Sequence, residues 1–251
     1  MLDRALCICW YNLPEQSREA YLSWFHESYI PKLLQQPGVL WAAHYASAKV
    51  PPHALLRFTN DNSIPVGTDH ILLVGANSSH SFAKDVRMFA DGVPRKPDAD
   101  LPQEDRKMLS LRIGKRTNIM IEEARVDGPE ANQRETGVAL SPCIQLGSFN
   151  ATSPEVEEEL LAWYAGSRMP SMRKLSGCLG MRKLVSVAGW AKHAVLHEFV
   201  SLEARTKHGV LHKLEGRRER GDWENRLIPK LIHEPGSPNV AFRIWPPVKL
   251  D

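Results

Sequence analysis

Trp24-Phe25-His26-Glu27-Ser28-Tyr29-Ile30-Pro31, followed by Pro37-Gly38-Val39, is a stretch that the chain writes twice. Its second form is Trp163-Tyr164-Ala165-Gly166-Ser167-Arg168-Met169-Pro170, followed by Ser176-Gly177-Cys178. The offset is constant: Trp24 to Trp163, Pro31 to Pro170 and Gly38 to Gly177 are each 139 residues (163 − 24 = 139). Trp10 and Phe149, which end the preceding apolar runs, keep the same offset. Two copies are too few for a solenoid, whose core is buried only by stacking several units. They predict a duplicated domain whose halves pack on each other.

Working outward, each copy sits in the same order of local patterns. Ala5 to Trp10 is a short apolar run and reads as a buried strand. Asn12-Leu13-Pro14-Glu15 opens a helix, with apolar Tyr21, Leu22, Phe25, Tyr29, Ile30, Leu33 and Leu34 at helical spacing. Pro37-Gly38 stops it. Strands are expected at Val39 to Ala46, His70 to Val74 and Thr117 to Val126. A second helix is expected from Ser78 or Ser79 to about Ala90. Pro94 to Arg106 reads as a surface crossing. The second half repeats this with strands at Pro142 to Phe149, Leu179 to Val187 and His193 to Val200. Its helices open at Ser153 and Ser201, and its last strand region spans Leu227 to Trp245. The order is β-α-β-β-α-β twice, so the expected fold class is α+β, two ferredoxin-like units in tandem. They span residues 1–126 and 141–251, with 127–140 as linker. Facing their uncovered sheets would give a barrel-like sandwich with a cavity between the sheets.

The bulk numbers narrow the function. A formal charge of +3, with 43% apolar and 24% charged residues, is ordinary for a globular protein and gives no electrostatic case for nucleic acid. Cys7 and Cys9 have strand spacing, Cys143 and Cys178 are remote, and no CxxC pair exists. Free thiols in a reducing, cytoplasmic setting are expected, without a zinc site. No apolar run approaches a membrane span, and no apolar stretch follows Met1 as in a signal peptide. No Gly-rich phosphate loop is present, and His193 and His197, four apart, fall on an expected strand, where that spacing spans ~13 Å and cannot chelate one ion, so neither cofactor nor metal is expected.

The pattern Ser17-Arg18-Glu19-Ala20-Tyr21, Trp24-Phe25, Tyr29-Ile30-Pro31, Leu33-Leu34 and Pro37-Gly38-Val39 resembles the opening of EthD-like proteins of the dimeric α/β-barrel superfamily. Thr68-Asp69-His70-Ile71 and Phe199-Val200-Ser201-Leu202-Glu203-Ala204 are similar to later parts of that family. The family's His before x-Pro falls on Tyr29 in the first half and on Arg168 in the second. Relatives include cofactor-free cyclases, decarboxylases, dehydratases, isomerases and monooxygenases; others bind haem. The resemblance implies a site but not its chemistry.

His70 and His193 open corresponding strands, where some polyketide cyclases of this fold have a general base; an imidazole suits proton abstraction beside a carbonyl. Tyr29, in the family's His position, is a candidate oxyanion donor. Arg168 is a candidate carboxylate binder. His197 and Glu198 are adjacent mid-strand residues, so one faces the cavity and the other the helices; both are candidate catalytic residues, the inward one acting, and the alternative is an ion pair with Arg182 or Lys183. Trp41 and Tyr45, with Trp10 or Tyr11, and with His44 beside them, are candidates for an aromatic wall, or else core. Glu123 and Arg125 are expected on one face with Glu122 on the other. His26 reads as a packing or solvated residue, and His53 as part of a lid. The leading expectation is a cofactor-independent lyase, cyclase, dehydratase or isomerase acting on a small apolar, aromatic or polyketide-like molecule. The alternatives are a haem- or oxygen-using oxidoreductase and a non-catalytic ligand carrier. A homodimer is the expected further association.

Overall fold

A computed structural model describes residues 3–50, 55–82, 101–207 and 226–248. Eight strands form one closed barrel: β1 (Ala5–Asn12), β2 (Val39–Ser47), β4 (His70–Ala76), β5 (Ile113–Asp127), β6 (Cys143–Ala151), β7 (Cys178–Ala188), β8 (His193–Phe199) and β10 (Asn239–Trp245). Their order is β10-β2-β4-β1-β5-β7-β8-β6, and β6 pairs with β10 to close the ring. Every pairing in the ring is antiparallel, so the fold is α+β around an antiparallel barrel without free edges. Within each half the strands run β2-β4-β1-β5 and β7-β8-β6-β10, the same order twice. The short strands β3 (Arg57–Phe58) and β9 (Leu231–His233) pair in parallel beside the barrel; β9 lies within the expected last strand region, and β3 has no signal in the sequence pattern.

Alternation along the strands decides which residues go where. Leu6, Ile8 and Trp10 of β1, Ala43 and Tyr45 of β2, Ile71 and Leu73 of β4, and Ile144, Leu146, Leu184, Ala194 and Leu196 of the second half fill the barrel. The expected cavity between the sheets is therefore a packed core. Trp10, Trp41 and Tyr45 belong to it: Trp41 Nε1 donates to Asp3 (3.0 Å) and the Tyr45 hydroxyl donates to the Ser141 carbonyl (2.8 Å). The opposite faces, with Cys7, Cys9 and Tyr11 in one half and Cys143, Phe149 and Val195 in the other, pack under the helices. All four cysteines are buried and free.

The first helix has three parts: α1 (Arg18–Trp24), a wide i→i+5 turn (Phe25–Tyr29) and α2 (Ile30–Leu34). The second half has the same three parts at Pro154–Trp163, Tyr164–Arg168 and Met169–Met172. The cause is local. Pro31 and Pro170 lack an N–H and crowd the carbonyl four residues back, so the helix widens just before each. After each helix Gly38 (φ +85°) and Gly177 (φ +79°) take the left-handed conformation that lets the chain turn into a strand.

Three expectations need correction. Phe149 pairs with His193 as Tyr11 pairs with His70, so Tyr11, not Trp10, is the counterpart of Phe149 (149 − 11 = 138). A slip of one residue reverses the face, and Phe149 accordingly lies under the helices while Trp10 lies in the barrel. The surface crossing to Arg106 runs into a helix, Gln103–Leu109, whose first turn carries Glu104 and Asp105 and whose last carries Arg106 and Lys107. A register shift between Glu122 and Ala124 breaks the alternation there, so Arg125 bonds to Glu122 (2.9 Å) and Glu123 pairs with Lys183. The helix expected at about 79–90 is described only to Phe82, as a short 3-10 turn, and His53 lies outside the described residues.

Candidate active site

The helix-facing ends of β1, β2 and β4 bring Tyr11, His44 and His70 together. Asn12 Oδ1 accepts the Thr68 and Asp69 amides (2.6 and 2.9 Å), which fixes where β4 begins and so sets His70 opposite Tyr11. The Tyr11 hydroxyl lies 2.9 Å from His44 Nε2. The other side of that imidazole, Nδ1, lies 2.8 Å from Nε2 of His26, which projects from the wide turn after α1. The His70 ring stacks on Tyr11 (5.5 Å between centroids) and stands 5.3 Å from His44. Behind them Arg112 Nε donates to the Tyr21 hydroxyl (2.7 Å), with its guanidinium 4.5 Å over the Tyr11 ring and 5.1 Å from Phe25.

Burial sets the protonation of this cluster. It holds the His26 imidazole down at about 4 and His70 at about 4. His44, fully buried, is held well below its ordinary value by burial and then by the neighbouring charges of His70, His26 and Arg112. Burial raises the Tyr11 and Tyr21 phenols. At neutral pH the chain is thus neutral imidazole, neutral imidazole, neutral phenol. Each member both donates and accepts, so a proton taken up at one end can be relayed inward.

His26 is where the chain meets solvent. It walls an open groove of about 540 Å³ between Glu15, Arg18, Glu19 and Leu22 on the helix and Ile244 of β10. Leu22 and Ile244 are its apolar lining, beside charged Glu15, Arg18 and Glu19 and polar Ser23.

The sequence singled out His44 and His70, and the structure brings them together. His26 and Tyr11 received little weight, and Tyr21 and Arg112 none, as functional groups. Tyr29 is fully buried among Trp24 (5.0 Å) and Phe25 (5.5 Å), away from the groove lining. The second half holds other chemistry in the same places. Phe149 stands for Tyr11, Ala165 for His26 and Lys183 for His44. His193 keeps the place of His70, but its Nε2 faces Glu157 (3.1 Å). Arg168 Nη2 lies 3.3 Å from Nε2 of His197, on the helix side of β8. Glu198 points into the barrel and pairs with Arg134 (2.7 Å) and the Ser141 amide (3.1 Å), not with Arg182 or Lys183, which bind Asp3 and Glu123. Among the described residues no group of three or more His, Cys, Asp or Glu side chains is arranged to hold a metal ion. No described helix is long and apolar enough to cross a membrane.

No family model matches the chain, and no curated protein sequence matches it. Solved structures do. One is a proposed monooxygenase from Lactobacillus acidophilus, 12% identical, with a TM-score of 0.55 over 96% of this chain and 94% of that one. An anthrone oxidase-like protein is 8% identical, with a TM-score of 0.58 over 96% and 91%. A chlorite dismutase variant from Candidatus Nitrospira defluvii is 10% identical, with a TM-score of 0.51 over 96% and 90%. At such identity the likeness shows the fold alone.

Proposed function

We propose that this chain is an enzyme for a small, largely apolar molecule, and that its active site is the first-half groove walled by His26, with His44, Tyr11 and His70 buried behind it. The observation that carries the reading is the continuous contact from the groove through His26 and His44 to Tyr11. In this reading His26 takes the proton from an acidic C–H or O–H of a bound substrate. The electron pair stays on the substrate as an enolate or phenolate. The charge that His26 gains is shared with His44 and Tyr11, and the same chain returns the proton to the product. A double bond shift, a ring closure or loss of water from the anion would complete an isomerase, cyclase or dehydratase reaction without a cofactor. The architecture suits a tandem duplication of EthD-like, ferredoxin-like halves, 1–126 and 141–251 joined by 127–140. The second half in this reading is scaffold, and further association of two chains would leave the site within one chain.

Proton exchange tests this. A panel of small aromatic β-ketones and anthrone-like ketones would be incubated with the protein in deuterated water, and loss of the acidic C–H signal followed by NMR. Exchange by the wild type that disappears in His26→Gln and His44→Gln supports the reading. No exchange with any member, or unchanged exchange in both variants, removes it.

A second reading is favoured by the fold neighbours described as a monooxygenase and an anthrone oxidase-like protein. The anion formed by the same proton transfer would give its electrons to dioxygen, the substrate being oxidised and the oxygen reduced. Oxygen uptake accompanying exchange distinguishes this outcome. Haem fits His193 and His197 poorly. Iron would need an imidazole Nε2, and those of His193 and His197 face Glu157 and Arg168.

A further inference from the structure

Among the described residues no carboxylate answers the charge of Arg112. Its Nε donates to Tyr21, its Nη1 approaches Cys9 Sγ (3.9 Å), and Tyr11, Tyr21 and Phe25 surround its plane. Nη2 is buried and bonds to nothing. No carboxylate stands among these contacts. The phenols cannot supply the charge at neutral pH, because burial raises both Tyr11 and Tyr21. A guanidinium stays protonated throughout the working range, so it cannot relieve the cost by losing its proton. Unpaired buried charge of this kind is retained at a cost in stability, and pairing it is favourable. On the same Tyr11 ring lies a second buried atom with no partner, Nδ1 of His70.

We infer that Arg112 is the receptor for an anionic oxygen of the ligand, and that the site takes a planar aromatic monoanion. This rests on the reading that the first-half pocket is the active site, and it narrows the substrate class. One guanidinium with Nε already committed offers the charge for a single carboxylate, not for a phosphate. The rings of Tyr11, Tyr21 and Phe25 round the guanidinium are fully buried and apolar, which favours a flat ligand, and His70 Nδ1 offers a further polar contact. The oxygen comes either from a carboxylate that the substrate carries or from an enolate formed in the site.

The probes are benzoate, its neutral isostere benzamide, and acetate, with binding to the whole protein followed by calorimetry and by the shift of thermal unfolding. A charge-assisted hydrogen bond to a buried guanidinium predicts that benzoate binds at least about tenfold tighter than benzamide. Acetate, which lacks the ring, binds more weakly than benzoate. Arg112→Met brings benzoate and benzamide to equal affinity, while Arg112→Lys keeps part of the preference. Should Arg112→Met fail to fold, the wild-type comparison still decides. Equal affinity of the wild type for benzoate and benzamide overturns the inference, and so does a preference that survives in folded Arg112→Met. A carboxylate source gives tight benzoate binding. An enolate source gives instead a preference for 4-nitrophenolate over benzoate that also depends on Arg112. His26→Gln is expected to lose proton exchange and to keep benzoate affinity. An Arg112-dependent preference without exchange would uphold the anion site while removing the acid/base reading.

Discussion

Nε2 of His26 lies 2.8 Å from Nδ1 of His44, and this one contact ties the wide turn of the first helix to the second strand of the barrel. The turn exists because Pro31 forbids a regular helix there, and the same turn recurs before Pro170. In the second half the corresponding pair is Ala165 and Lys183, which cannot form the contact. The two halves share the device that presents a side chain and differ in the side chain presented. Scaffold and chemistry have therefore separated along the repeat.

Protonation of this cluster opposes folding in acid. His26 and His70 are held at about 4 by burial, while an unfolded imidazole titrates near 6.5. Between those values the unfolded chain binds more protons than the native one, so stability rises with pH across that window. It is fully present above about pH 6.5 and is lost as the pH falls toward 4. Urea midpoints should drop between pH 7 and pH 5 by an amount worth on the order of a few kcal/mol. The drop should shrink in His70→Gln. A midpoint that is flat over this range would contradict the burial of these rings as neutral groups.

The halves should separate by mutation. His26→Gln, His44→Gln and Tyr11→Phe each interrupt the relay, and a positioned general base is worth roughly 10²–10⁴ in rate. Each should lower proton exchange by an amount in that range, with the pH profile of Tyr11→Phe displaced, since the neighbour of His44 is changed. His193→Gln and His197→Gln, on the far side of the barrel, should leave the rate within a small factor of wild type. The opposite pattern would move the active site to the second half.

Much of this was legible in the chain. The 139-residue offset between Trp24 and Trp163 and between Gly38 and Gly177 marks helix packing and turn positions, which local physics fixes. The strands followed from short apolar runs. What the offset could not reveal was the change to 138 at Tyr11 and Phe149, because one residue in a connection is invisible to a repeat but reverses a strand's face. His26 and His44 are 18 residues apart on different elements, so nothing local joins them. A His next to Trp24 at the end of an apolar helix face looks like packing. Arg112 precedes its strand as an ordinary basic residue would. Its lack of a counter-charge among the described residues is a tertiary fact.

Glu198 reads from sequence as a candidate catalytic residue and from structure as a barrel-end ion pair. Its carboxylate is 1% exposed and accepts from Arg134 and the Ser141 amide. Glu198→Ala would leave the Ser141 amide without its acceptor and Arg134 with only the Leu179 carbonyl and Asp127, a loss of about 1–3 kcal/mol. Glu198→Gln keeps the shape and should cost less. Chemical denaturation should show this order, and activity per folded molecule should be unchanged in Glu198→Gln. A variant that stays fully stable but loses turnover would return Glu198 to the list of catalytic groups.

Gly75 is set by Trp41. The two are paired across β4 and β2, and a Cβ built on Gly75 would stand 2.1 Å from the Trp41 indole. That indole is held in place by its bond to Asp3, so it cannot swing away cheaply. Gly75→Ala should therefore destabilise by about 1–3 kcal/mol, the usual cost of overpacking. Trp41→Phe removes the indole atoms that would collide and should also destabilise, through lost packing and a lost partner for Asp3. The double variant should be more stable than the sum of the single losses predicts. A double-mutant cycle in urea measures that coupling, expected at about 0.5–3 kcal/mol for residues in contact. Strict additivity would mean that the indole does not lie over Gly75, and the packing of the barrel mouth around Trp41 would have to be redrawn.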